Sequence, residues 1–337
     1  MKTQHIVLLL LFVIITFSAC REISVTTKIN EDGSFTRIIK ITGDSADVFK
    51  KDLPYPIDDS WLMEVKHDSV DTSLYVTYTK TYSDSDLLNA EMRTDTGWMH
   101  QLDRTIEIDK RFGFFYSYIT FCETYKAIKP FEKLNYPNKL TPEEMLYLSG
   151  KKLPITVSDS VMAKQVSDKF DGFLIEAIAS QIISTLEDGI KKLNDPQLNP
   201  ESVQIYKDSI EQKLNDIENL DVYIDFFEDW TGNESVNRLK TLEPPLFMDL
   251  DKKVSILINP IYMDSYSQIV EMPGLITETN SKSVTGNKVS WGVNGDKFLF
   301  VDYTMHVESR VVNYWMFALT GLLVLLLIIF LVIKAFR

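Results

Sequence analysis

Two cysteines and four histidines are all that 337 residues offer for thiol or imidazole chemistry. One of each lies in an apolar leader segment, as Cys20 and His5. If Cys20 is used elsewhere, Cys122 has no partner and no disulfide framework can form. Cys122 sits in "YITFCETY", where a small buried hydrophobe is the expected reading. His67-Asp68 and His306-x-Glu308 are too short and lack a third ligand, so neither defines a metal site. There is no G-x-S-x-G, no H-E-x-x-H and no glycine-rich phosphate loop. No catalytic residue, no metal and no cofactor is therefore expected, and the chain reads as a non-enzyme. Proline and glycine are sparse, at 12 and 13, and no segment is repetitive or low in complexity.

Positive charge is also scarce. Of 35 basic residues, only Lys2, Lys334 and Arg337 lie outside residues 21–313, which leaves 32 against 48 acidic residues and a net of −16 for that stretch. Such a body is repelled by phosphate backbones and by anionic lipid headgroups, and nucleic acid is excluded as a partner.

Long apolar runs occur only at the two ends. Residues 6–17, "IVLLLLFVIITF", form a twelve-residue core behind Lys2, the hydrophobic part of an export signal and too short to span comfortably. Ser18 and Ala19 then precede Cys20, and "FSAC" resembles the lipobox of bacterial lipoproteins. That resemblance implies acylation of Cys20 as the mature N-terminus, although Phe17 departs from the usual aliphatic residue. A plain signal cut near Ala19 is the alternative. At the other end, residues 314–333 contain twenty residues and no charge. At 1.5 Å per residue they cover about 30 Å, a bilayer core. Tyr314 and Trp315 suit one interface, and Lys334 and Arg337 suit the cytoplasmic side. A spanning helix of this type belongs to a bacterial cytoplasmic (inner) membrane, with the body extracytoplasmic and the C-terminus cytoplasmic.

Between the ends, the pattern runs β, α, β. "ISVTTKI", "NEDGS" and "FTRIIKI" read as a hairpin with Ile23, Val25, Thr27 and Ile29 on one face. Residues 70–80 place Val70, Leu74, Val76 and Tyr78 on one side. "TIEIDKRFGFFYSYITF" reads as two strands turning at Asp109–Arg111, with the aromatic half as a buried strand or the wall of a lipid pocket. Thr141, Pro142 and Glu144 signal a capped helix start, and Gly150 its end. Residues 159–193 carry Val166, Phe170, Phe173, Ala177, Ile182, Leu186 and Ile190 at helical spacing. Asn199-Pro200 begins a second helix to residue 220, expected to pack antiparallel on the first and bury Phe170, Phe173, Ile210 and Leu214. "DVYIDFFEDW" places Phe226, Phe227 and Trp230 among acids, a possible partner surface. Strands are expected again from "VSILINPIYM" at residue 253 onward, with turns at Gly286-Asn287 and Asn294-Gly295. In the last strand Leu299, Val301, Tyr303, Met305 and Val307 share a face.

The predicted fold is thus α+β: a discontinuous antiparallel β-sheet system with an inserted long helical hairpin and a C-terminal transmembrane helix. The expected boundaries are 1–19 for the signal, 20–137 and 249–313 for the β-rich parts, 138–248 for the insertion, 314–333 for the span and 334–337 for the tail.

"MPGLITETNSKSVTGNKVSW", with a strand and a spanning helix after it, resembles the LppM-type domain of bacterial envelope lipoproteins through Pro273, Gly274, Asn280, Gly286 and Trp291. "CREISVTTKINEDGSFTRIIKI" resembles the family's opening. The match covers roughly the first forty and last seventy residues, about a third of the chain. It implies an extracytoplasmic domain without catalytic residues, in some members one that contacts lipids. The expectation is a non-enzymatic envelope protein that binds a lipid or an envelope protein. The alternatives are an accessory subunit of an inner-membrane complex and an unrecognised envelope hydrolase.

Overall fold

The structure is a computed structural model that describes residues 22–43, 48–49, 55–67, 74–94, 103–129, 136–151, 159–214, 219–258, 265–293, 295–298 and 301–336. The expected export signal and Cys20 lie outside them. The chain divides into two compact units: residues 1–128, 148–152 and 263–337, and residues 129–147 and 153–262.

The first unit is built from two sheets. Strands β1 (Glu22–Ile29), β2 (Phe35–Gly43), β3 (Leu62–His67) and β4 (Leu74–Tyr82) are followed by helix α1 (Ser85–Thr94), then β5 (Arg104–Gly113) and β6 (Tyr116–Tyr125). After the second unit come β7 (Ser265–Glu271), β8 (Leu275–Thr279), β9 (Ser283–Thr285), β10 (Lys288–Val293) and β11 (Tyr303–Val312). One sheet runs β3-β4-β2-β1-β7-β10-β9 and the other β5-β6-β11-β8. Segments from either side of the helical insert pair directly, β1 with β7 and β6 with β11, so the sheets are discontinuous in sequence. The β1–β7 pair is parallel, unlike the wholly antiparallel system expected; every other pair is antiparallel.

Alternation dictates the core. Ile23, Val25, Thr27 and Ile29 of β1 are buried, as are Phe35, Arg37, Ile39 and Ile41 of β2. The inner face of β6 carries Ser117, Ile119, Phe121, Glu123 and Tyr125, and that of β11 carries Tyr303, Met305, Val307 and Ser309. These faces meet, for Arg37 bonds to Glu123 and Gln268 of β7 bonds to Tyr125. Strand β5 has a free edge, and Asn89 of α1 protects it by bonding both the N–H and the C=O of Ile106. Strand β3 and helix α1 were not anticipated. β3 exposes Leu62, Met63 and Val65 and shows no buried alternation.

In the second unit, α2 (Pro142–Leu148) starts with the expected capping box: Thr141 N–H donates to Glu144 Oε2 at 2.7 Å and Glu144 N–H to Thr141 Oγ1 at 3.3 Å. α3 (Asp159–Leu193) is 35 residues long, and its whole expected stripe is buried. Asn199 caps the next segment through Glu201 N–H, but Pro200–Tyr206 is a 3₁₀ helix and only Lys207–Lys213, α4, is α-helical. Ile210 is buried there, whereas Leu214 is half-buried. Helix α5 (Val222–Thr231) and helix α6 (Met248–Ile258) complete the unit. The strand expected from Val254 is therefore a helix. A short apolar run fits either state, and the Phe247 and Leu250 side chains bury at helical spacing.

Finally, α7 (Tyr314–Ala335) spans 22 residues with a mean hydropathy of 3.1 over its most apolar stretch, 6% of which is buried. It is the one helix among the described residues long and apolar enough to cross a membrane. Asn294 is outside the described residues, and Gly295–Phe298 form a single helical turn instead of a hairpin turn.

Candidate functional site

The junction between β11 and α7 is held by hydrogen bonds and ring contacts from the β5–β6 turn. A single residue, Asn313, separates strand from helix. Its backbone N–H donates to Phe115 O at 2.8 Å and its Nδ2 to Phe114 O at 2.9 Å. Its Oδ1 accepts from Ser117 Oγ at 2.9 Å. The β5–β6 turn thereby grips the base of α7. Rings extend the grip: Phe112 stacks on Trp315 at 5.9 Å, and Phe115 meets Phe317 at 4.5 Å.

This corrects the reading of residues 104–125. The turn is Phe114–Phe115, flanked by the paired residues Gly113 and Tyr116, not the charged Asp109–Arg111. The first aromatics are accordingly not a buried strand: Phe112 is 57% exposed and Phe114 52%. Phe114 adopts φ +59°, a left-handed conformation that costs a bulky side chain about 1–2 kcal/mol.

On the outer face of the second sheet, cross-strand register sets side chains in rows. Asp109, Thr120, Glu308 and Glu278 form one row across four strands, and Arg111, Tyr118, Arg310 and Leu275 form the next toward the tip. Arg111 lies over the Tyr118 ring at 4.7 Å and Arg310 over Tyr116 at 5.1 Å. Leu275 is 58% exposed.

His306 and Glu308 do share this outer face, with Cys122 opposite His306 and Glu107 opposite Cys122. Cys122 is half-buried on the outer face, not a core residue. Burial, aided by the Glu107 charge, pushes its thiol pKa up, so it stays protonated at neutral pH. Among the described residues, no group of three His, Cys, Asp or Glu side chains could hold a metal ion.

Sequence reasoning missed a charged cluster between the sheets. Arg37, fully buried, places Nη2 3.0 Å from both carboxylate oxygens of Glu123. Burial alone would lower the Arg37 pKa, but the Glu123 charge together with Tyr55 and Tyr125 outweighs it and the net shift is upward. Gln268 Nε2 donates to Tyr55 Oη at 2.6 Å and to Tyr125 Oη at 3.0 Å. Burial, then the Glu123 charge, raises the Tyr125 pKa well above its ordinary value. The signal was present: Arg37 and Glu123 each occupy an inward position of an alternating strand.

Phe226, Phe227 and Trp230 lie together on α5. Phe227 is buried and the other two half-buried, with Trp230 stacked between Phe226 at 5.9 Å and Tyr206 at 5.1 Å. Lys213 sits over Phe226 at 4.1 Å.

The residues behind the sequence resemblance converge as well. Asn280 Oδ1 accepts from Trp291 Nε1 at 3.0 Å and from His306 N–H at 2.9 Å, while its Nδ2 donates to Thr304 O. Asn280 thus ties β10 of one sheet to β11 of the other. Gly274, at φ +79°, would place a Cβ 2.3 Å from Arg310 O, so no side chain fits. Gly286, at φ +63°, makes the β9–β10 turn. These positions brace the fold.

No family model and no curated protein matches the chain. Among solved structures, it is similar to the folded domain of LppM from Mycobacterium tuberculosis, determined by NMR, at 9% identity over 88% of this chain and 92% of that one. The TM-score is 0.29, a weak structural relation.

Proposed function

We propose that this chain is a non-enzymatic cell-envelope protein of the LppM-type group. Its body is held outside the cytoplasm by α7 and by a lipid on Cys20, and it binds a lipid or protein partner at the membrane surface. The observation that carries this reading is the Asn313 junction. β11 passes through one residue into a helix of bilayer length, and the neighbouring turn fixes that helix by hydrogen bonds and ring contacts. A body joined this tightly stays at the bilayer surface and has little freedom to swing away. The sequence pattern around Pro273, Gly274, Asn280, Gly286 and Trp291 supports the group, and the signal segment with Lys334 and Arg337 supports the orientation.

Reporter fusions after residue 250 and at the C-terminus should report opposite sides of the membrane. A cytoplasmic signal at residue 250 would refute the orientation. Metabolic palmitate should label the wild type and not Cys20→Ser, and equal labelling of both would remove the lipid from the proposal.

A further inference from the structure

We infer that the β5–β6 tip is embedded in the headgroup–acyl boundary of the bilayer that α7 enters, so that phospholipid is the partner of this surface. The inference rests on reading α7 as a spanning helix and adds a second point of membrane contact beside it.

Three observations carry it. The tip is continuous with the span: Asn313 bonds to Phe114, Phe115 and Ser117, and Met316 in the first turn of α7 is 4% exposed. Whatever depth that first turn occupies, the tip shares it. Second, the tip presents Phe112 and Phe114 outward, with Phe112 stacked on Trp315; Trp315 is 60% exposed and its chain neighbour Tyr314 78%. Aromatic rings of this kind concentrate at membrane interfaces. The left-handed backbone at Phe114 is one that glycine or asparagine would adopt at lower cost, yet a phenylalanine occupies it.

Third, the outer face is layered in the order a bilayer surface demands. Gly113, Tyr116 and Val312 lie nearest the tip, then the arginine row with Leu275, then the acidic row. Successive rows are two residues apart, about 6.7 Å. The apolar level thus meets the acyl boundary and the arginines meet phosphate, while Glu308, 3.8 Å from Arg111 Nη2, stays on the water side with Asp109 and Glu278. Charge decides the occupant. A second copy docking tip to tip would bring Arg111 and Arg310 against their own like charges, whereas lipid phosphate is of opposite sign.

The test uses the full chain in nanodiscs of phosphatidylcholine and phosphatidylglycerol, in a Cys20→Ser, Cys122→Ser background. Single spin labels are placed at Phe114→Cys, at Leu323→Cys in the middle of α7, and at Asp103→Cys, exposed at the far end of β5. Collision with oxygen, which partitions into lipid, is compared with collision with a water-soluble nickel chelate. The label at 114 should match 323 in favouring oxygen, while 103 favours nickel. Should the turn reject a label, Phe112→Cys gives the same comparison. Nickel preference at 114 with oxygen preference at 323 would overturn the inference and leave the spanning reading standing. Shielding of 114 from both reagents would also overturn it, by showing that protein covers the tip. Nickel preference at 323 would overturn the spanning reading and this inference with it.

Discussion

Replacing Glu123 by leucine should be among the most damaging single changes in the first unit. The substitution leaves Arg37, which is 0% exposed, without its counter-charge, and Nη2 loses both of its 3.0 Å bonds. Arg37 Nε and Nη1 make no hydrogen bond among the described residues, and the Tyr55 ring, 5.4 Å from the guanidinium, is a weak substitute for a carboxylate. Breaking a buried pair in this way costs about 3–5 kcal/mol. Removing both charges is different in kind: Arg37→Met with Glu123→Leu abolishes the desolvation of each ion, and such replacements are neutral or stabilising by about 1–4 kcal/mol. The double variant should therefore recover most or all of what the single one loses. Urea unfolding of the full chain in detergent, followed by near-ultraviolet circular dichroism, measures this. With a slope of roughly 2 kcal/mol per molar urea, Glu123→Leu should lower the midpoint by about 2 M. If the single and double variants unfold at the same urea concentration, the pair is not coupled and the reasoning fails.

Two further outcomes follow from local geometry. Burial favours the neutral form of Glu144, but its bonds from Lys169 at 2.7 Å and from Thr141 N–H prevail and hold its pKa below the ordinary 4.5. A depressed folded-state pKa stabilises above the unfolded value and loses that stabilisation as pH falls through the folded one. Glu144→Gln should thus lower the stability of the second unit at pH 6 by about 1 kcal/mol, and the gap from wild type should narrow steadily below pH 4.5. A gap independent of pH, measured by urea titration, would exclude the ionic contribution. Gly274→Ala should disrupt β8–β11 pairing, since its Cβ would lie 2.3 Å from Arg310 O, whereas Gly286→Ala meets nothing within 4 Å and should cost only about 1 kcal/mol of backbone strain. Amide exchange across β8 and β11 separates the two, and equal exchange in both variants would contradict the geometry.

What could be read from the sequence was whatever carried a strong period or a specific cap. The β1–β2 hairpin, α3, α7, the Thr141–Glu144 box and the Asn199 cap all emerged where the pattern put them, because each depends on neighbours in sequence. Strand pairing between β1 and β7 depends on residues more than two hundred positions apart, and no local pattern encodes its parallel sense. The β5–β6 turn was misplaced for a more instructive reason. Charged Asp109–Arg111 obeys the expectation that turns are polar, while the real turn, Phe114–Phe115, violates it. Phe115 leaves the interior because Phe317 of α7 gives its ring a surface, and Phe114 packs edge-on against Phe115. The buried Arg37–Glu123 pair went unnoticed because each residue is ordinary in its own strand; only the two inward registers taken together show that opposite charges face each other.

The strand order also has a consequence for how the molecule is made. β11, the last strand before α7, is an interior member of its sheet, bonded to β6 on one side and β8 on the other. A chain growing from its N-terminus therefore holds β6 and β8 apart, each with an open edge, until almost all of it has been synthesised. The central β1 likewise waits for β7. Neither sheet can close early, so completion of the body and arrival of the apolar helix are nearly simultaneous. A nascent chain stalled or cleaved before residue 303 would carry unpaired, aggregation-prone edges, whereas one released after residue 313 would hold every strand of the two described sheets.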